Sequence, residues 1–280
     1  MRPSAVGSTT PGRDDGSPRP VFNSPGCLRP SVCTLLVAWQ VFDDAPVCVA
    51  ANRDEQYDRP ARPPTRWDAD PAVLAPRDER SGGTWIGYNA AGVFVAVTNR
   101  WVSGEGDRSR GLLVADALGA RSAGAALDVV ETELAERRYA PFHLVVADAD
   151  ACTLVRNGGT DDAIAGHRVT TFDPGVHVVV NVGVDGEWFV PSARPAAGRT
   201  QADNAERVRE ALQPRPADRP AAWLDRAGEV LGDHDYGVCL HGDRYGTRSS
   251  TLLALGADRI ARFADGPPCE TRYERVEDRI

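Results

Sequence analysis

Two short apolar runs near the start of the patterned part of the chain constrain its fold most tightly. Residues 33–41 read CTLLVAWQV and residues 47–51 read VCVAA, joined through the turn-forming Asp43-Asp44-Ala45-Pro46. Strand-like runs on either side of such a turn predict a β-hairpin. Upstream, residues 1–32 are rich in Pro, Gly, Ser and Arg and show no periodicity. They are expected to be disordered, leaving one domain over residues 33–280.

The rest of the chain extends this pattern. Residues 52–58 read as a charged segment leaving the second strand, and residues 59–80 as a Pro- and Arg-rich loop. Gly82-Gly83-Thr84-Trp85-Ile86-Gly87 leads into a further strand, Asn89-Ala90-Ala91-Gly92 makes a turn, and residues 93–98 return. Apolar positions at helical spacing predict helices over 110–120 and 123–138, with two more near 201–212 and 219–231. Strands are predicted at 142–148, 151–156 and 176–182, and two or three more from Arg248 onward. Hairpins at both ends with helices grouped between them predict an α+β fold of mainly antiparallel sheets.

Composition narrows the function. Among 280 residues, 42% are hydrophobic, enough for a sizeable core. No apolar run reaches the roughly 18 residues that span a bilayer, and the N-terminus lacks the apolar core of a signal peptide. A cytoplasmic protein is the expectation. A net charge of -8 argues against nucleic acid as a partner. Every basic side chain is Arg. With the acid excess, this fits a salt-adapted, halophilic protein, although a GC-rich genome alone also produces an Arg bias.

Six cysteines (Cys27, Cys33, Cys48, Cys152, Cys239 and Cys269) form no C-x-x-C pair. Their scatter argues against a zinc site and against a disulfide framework. The five histidines show no metal-ligand spacing; His234 and His241 read as ordinary polar or core positions, with pocket lining as the alternative. The expectation is therefore no metal and no cofactor. Ser249 is not in a G-x-S-x-G context, and the Gly-rich stretches lack the Lys of a phosphate loop.

Four polar clusters remain: Asn52-Arg53-Asp54-Glu55, the run from Arg77 to Trp85, Thr98-Asn99-Arg100, and Tyr245-Gly246-Thr247-Arg248-Ser249-Ser250-Thr251. Singly, each reads as a solvated turn or a strand end. In order, with Cys-Thr-Leu-Leu-Val at 33–37, Leu74-Ala75-Pro76-Arg77-Asp78 and Ser109-Arg110-Gly111, they resemble the NRDE proteins, also called the transport and Golgi organisation protein 2 family. The resemblance runs from Cys33 to about Ile260.

NRDE proteins look related to N-terminal-nucleophile (Ntn) hydrolases of the choloylglycine hydrolase and penicillin V acylase group. That resemblance implies a four-layer αββα sandwich and hydrolysis of a non-peptide C–N amide bond in a small molecule. It also implies site residues. Cys33 would be the nucleophile. Arg53 and Asp54 match an early Arg and Asp, Asn99 the first of two Asn residues, and Arg248 a late Arg. Asn181, following the strand at 176–180, stands where the second Asn falls. Asn181 or Asn99 would donate to an oxyanion, Asp54 would hold the terminal ammonium or a water, and Arg53 and Arg248 would lower the thiol pKa. The hydrolases separate their Arg and Asp, whereas Arg53 and Asp54 are adjacent and share a site only where the strand has ended. The family has also been linked to haem trafficking and to acyl-CoA and lipid metabolism, so a non-catalytic haem or lipid carrier is the alternative, although no C-x-x-C-H motif is present.

Family members characteristically begin Met-Cys. Here Val32 precedes Cys33. A valine codon read as an initiator would expose Cys33 after Met removal; cleavage of a propeptide would do the same. A free α-amino group, with a pKa of about 7.7–8.0, is then the base for its own thiol.

Overall fold

The computed structural model describes residues 33–158 and 166–280; the disorder expected over residues 1–32 lies outside the described residues. The predicted hairpin forms as β1 (Thr34–Phe42) and β2 (Ala45–Gln56), with Leu36 opposite Ala50 and Val37 opposite Val49. β2 corrects one expectation. The charged tetrad does not leave the strand but lies within it, because a later strand pairs with it as far as Gln56.

The stretch expected to be a loop holds β3 (Ala61–Trp67) and β4 (Val73–Asp78). These open an antiparallel sheet that continues, in chain order, through β5 (Ile86–Asn89), β6 (Phe94–Asn99), β7 (Phe142–Ala147), β8 (Cys152–Asn157) and β9 (His167–Thr171). β10 (Gly175–Val180) returns to pair with β1, and β11 (Gly183–Val184) and β12 (Glu187–Trp188) extend that edge. On the other side β13 (Tyr245–Leu255) pairs with β2, followed by β14 (Ile260–Ala264) and β15 (Glu274–Arg275). The helices are α1 (Arg110–Ala117), α2 (Ala123–Glu136), α3 (Pro195–Ala211) and α4 (Pro220–Gly232); α3 begins well before the predicted residue 201, and the others lie close to their predicted spans.

Strand alternation sorts the core into three layers. Leu35, Val37 and Trp39 of β1 join Val49, Leu74, Phe94, Val145 and Leu154 between the two sheets. Leu36 and Ala38, facing the other way, pack with Val208, Trp223, Leu224 and Leu231 beneath α3 and α4. Leu113, Val114, Val130, Phe142 and Leu144 fill the space between the other sheet and α1 and α2. The layers therefore run α, β, β, α, with two antiparallel sheets stacked face to face. No helix among the described residues is long and apolar enough to cross a membrane.

His143 on β7 crosses between the sheets, its Nδ1 lying 3.0 Å from the Val180 carbonyl of β10. Burial, then the charge of Arg100, holds its pKa well below the ordinary histidine value. The folded protein keeps His143 neutral, whereas the unfolded chain protonates it near pH 6.5. Stability from this group is thus complete above about pH 6.5 and is lost as the pH falls below it. The loss accumulates as the pH falls from 7 to 5, because only the unfolded chain takes up the proton there. Urea unfolding at the two pH values should show a smaller loss in His143→Asn than in the wild type; equal losses would contradict the assignment.

Candidate active site

Register places the site. Thr34 pairs with Asn52 on one side and with Val180 on the other. One residue earlier, Cys33 therefore sits between Arg53 of β2 and Asn181 at the end of β10. The Cys33 backbone N–H donates to Asn181 Oδ1 at 3.0 Å. Gln201 of α3 donates to the same oxygen at 2.9 Å, and Asn181 Nδ2 donates to the Asn99 carbonyl of the opposite sheet at 2.7 Å. Asn181 is completely buried. One amide thus joins the Cys33 backbone, a helix and the second sheet.

The Cys33 side chain has the parity of Leu35 and Val37, which turns it toward the space between the sheets. There it opens on a cavity of about 170 Å³, whose wall also includes Arg53, Arg59, Asp78, Trp85, Asn99 and Arg110. Arg53 is buried, with its guanidinium 4.0 Å from the centre of the Trp85 ring and Nη2 3.5 Å from Asp78 Oδ2. Burial lowers the Arg53 pKa, while the charges of Glu55, Cys33 and Asp78 act to raise it.

Asp78 is the acidic anchor of this wall. Its Oδ2 accepts from Arg59 Nε at 2.5 Å, and its Oδ1 accepts from the Arg80 and Ser81 N–H groups and the Ser81 hydroxyl. Burial alone would raise its pKa, but the bonds from Arg59 and Ser81 hold it below the usual carboxylate value.

Asp54 is placed differently from Arg53. Because the strand continues, its side chain has the opposite parity. Its Oδ1 accepts from Thr247 Oγ1 at 2.5 Å, and Thr247 Oγ1 in turn accepts from the Leu240 N–H. Burial pushes the Asp54 carboxyl well above the usual range, opposed by the Thr247 bond and the Arg53 charge. What Asp54 turns toward Cys33 is its carbonyl, 3.8 Å from Sγ. Asn52 shares the parity of Asp54 and donates to the Leu231 and Val238 carbonyls, fastening the end of α4 to the sheet.

Of the six residues singled out in the sequence, Cys33, Arg53 and Asn99 share the cavity wall and Asn181 ties Cys33 to Asn99. Arg248 does not join that wall. It occupies a bulge of β13, between the pairs Thr247–Asp54 and Ser249–Arg53.

Arg110, of the Ser109-Arg110-Gly111 motif, lines the cavity although nothing in the sequence alone marks it as a site residue. It sits at the first turn of α1, capped by Ser109, and donates to the Pro141 carbonyl at 2.9 Å. It has no acidic ion-pair partner among the described residues. Burial lowers its pKa, and the charge of Cys33 acts to raise it. The motif glycines explain the position: a side chain on Gly83 would run into the Gly111 backbone, which also accepts from the Thr84 N–H at 3.0 Å. This close approach holds the start of α1 against the cavity.

Two antiparallel sheets between helix pairs, with a cysteine heading a central strand, define the Ntn-hydrolase-like class of α+β folds. The N-acylethanolamine-hydrolyzing acid amidase ortholog of Caenorhabditis elegans superposes with a TM-score of 0.50 at 14% identity, over 79% of this chain and 92% of that one. Within this class, residues 32–266 match the family model described as Transport and Golgi organisation 2, and the chain belongs to that family. The Transport and Golgi organization protein 2 homologs of Bos taurus and Homo sapiens are 26% and 25% identical, each over 80% of this chain and 90% of its own length.

Proposed function

We propose that the protein is a cysteine N-terminal-nucleophile hydrolase of non-peptide C–N amide bonds in small molecules. The observation that carries this reading is the pairing of Cys33 with Asn181. The backbone nitrogen that would become the terminal amine is held by a buried amide, while the thiol faces a cavity lined by guanidinium groups. Cys33 Sγ attacks the amide carbonyl carbon as its proton passes to the α-amine. Arg53 and Arg110 favour the thiolate. The Asn99 side chain donates to the oxyanion. The α-ammonium then protonates the leaving nitrogen as the C–N bond breaks, and water hydrolyses the resulting thioester. The start of the family match at Val32 supports a free amine at Cys33.

The same wall, with Arg53, Arg59, Arg108 and Arg110, favours an amide carrying an acidic group near the scissile bond. The test is a panel of N-acyl amino acids and N-acylethanolamines offered to two forms of the chain. One begins at residue 32 as an initiator Met that is removed; the other keeps residues 1–32, verified by mass spectrometry. Turnover is expected only in the first. Equal turnover in both would remove the terminal amine from the mechanism. Haem binding without amide turnover in either form would favour the carrier alternative.

A further inference from the structure

Away from the cavity, the fold gathers four side chains that the sequence scatters over 36 residues. His234, Cys239, His241 and Cys269 each offer a ligand atom, and all four atoms lie within 4.8 Å of one another. We propose that they form a tetrahedral Cys₂His₂ site for a zinc-type divalent ion, structural in role and separate from the Cys33 cavity.

Bond lengths of about 2.3 Å to sulfur and 2.0–2.1 Å to nitrogen set ligand-to-ligand edges of roughly 3.3–3.8 Å around a tetrahedral zinc ion. The Cys239 and Cys269 sulfurs are 3.4 Å apart, His241 Nε2 is 3.0 Å from the Cys269 sulfur, and it is 3.9 Å from that of Cys239. These edges need shifts of only about 0.5 Å or less to fit such an ion. The His234 ring stacks on His241 with centroids 5.2 Å apart, bringing the fourth donor alongside. His241 Nδ1 faces Glu270 at 4.0 Å, beyond hydrogen-bond reach but near enough for the carboxylate to attract the ring. Two thiolates and two neutral imidazoles leave a divalent ion with no net charge, which suits a site whose Cys239 is buried.

A C-x-x-C pair supplies two zinc ligands from one segment, and this chain has none. Here the donors come from two distant segments. His234–His241 connects α4 to β13, and Cys269 lies in a turn after β14 closed by the Glu270 and Thr271 N–H groups onto the Pro267 carbonyl. The first segment also backs the NRDE strand. Asn52 donates to the Val238 carbonyl, and Leu240 bonds through Thr247 to Asp54. A metal here pins the C-terminal turn to the segment beneath Asn52 and Asp54.

The test uses the reduced full chain without a metal-binding tag, with Zn²⁺ competed against a chromophoric chelator and Co²⁺ as the spectroscopic probe. The expected result is one ion per chain, with thiolate-to-cobalt charge transfer and tetrahedral d–d bands. Losing even an outer partner of a zinc ligand costs roughly 10- to 100-fold in affinity. Cys269→Ser should therefore weaken binding at least that much, while Cys33→Ser keeps full stoichiometry. Absence of stoichiometric metal in the wild type would overturn the proposal. So would binding that survives in the double variant Cys239→Ser/Cys269→Ser, or a native Cys239–Cys269 disulfide found by peptide mapping. The wild-type titration decides even where a variant fails to fold.

Discussion

Amide turnover is expected to fall by about 10⁴-fold or more in Cys33→Ala, the range in which loss of a covalent nucleophile falls. This corresponds to at least about 5 kcal/mol of lost transition-state stabilisation. The fold should survive. Cys33 precedes β1, its backbone N–H to Asn181 is untouched by the substitution, and its thiol lies at a cavity wall rather than in a packed core. The measurement is single-turnover hydrolysis of whichever amide the panel identifies, paired with thermal unfolding. Turnover within tenfold of wild type would end the nucleophile assignment. Loss of turnover together with unfolding would point instead to a structural role.

Asn181→Ala should damage both folding and chemistry. Truncation removes the acceptor of the Cys33 N–H and the Gln201 amide, and the donor to the Asn99 carbonyl. Losing such a bond costs about 1–3 kcal/mol at the buried Gln201 amide and less at the half-buried Cys33 and Asn99, about 4 kcal/mol in all. For a domain of this size that is a drop of roughly 10 °C in unfolding temperature. The catalytic defect should appear in kcat rather than KM, because the clamp aims the nucleophile and does not line the cavity. An unfolding temperature unchanged from wild type would refute the clamp.

The parts of the fold legible in the sequence are those where local pattern and tertiary role agree. The hairpin at Cys33, the helices at Arg110 and Ala123, and the strands at Phe142 and Cys152 each bury a face that their residue spacing already displays. The tetrad of β2 was hidden because its charges read as an exit from the strand. The fold instead gives Asn52 two carbonyls, Arg53 a ring and a carboxylate, and Asp54 a hydroxyl, so the polar groups are satisfied without leaving the sheet. Arg110 was hidden because its role comes from where α1 starts, which depends on the contact between Gly83 and Gly111.

β3 was masked by its composition, and that composition has its own effect. The strand is the outer edge of its sheet, with a register shift between Arg62 and Thr65 that spans Pro63 and Pro64. Proline offers no N–H to a further strand, so it is admitted at an edge and nowhere deeper. Arg62 and Arg66 flank the pair with charge. A neighbouring molecule that approached this edge would meet a broken ladder whose Arg66 N–H is already taken by the Asp278 carboxylate, so β3 acts as a terminator that keeps sheets of separate molecules from fusing into a continuous ribbon.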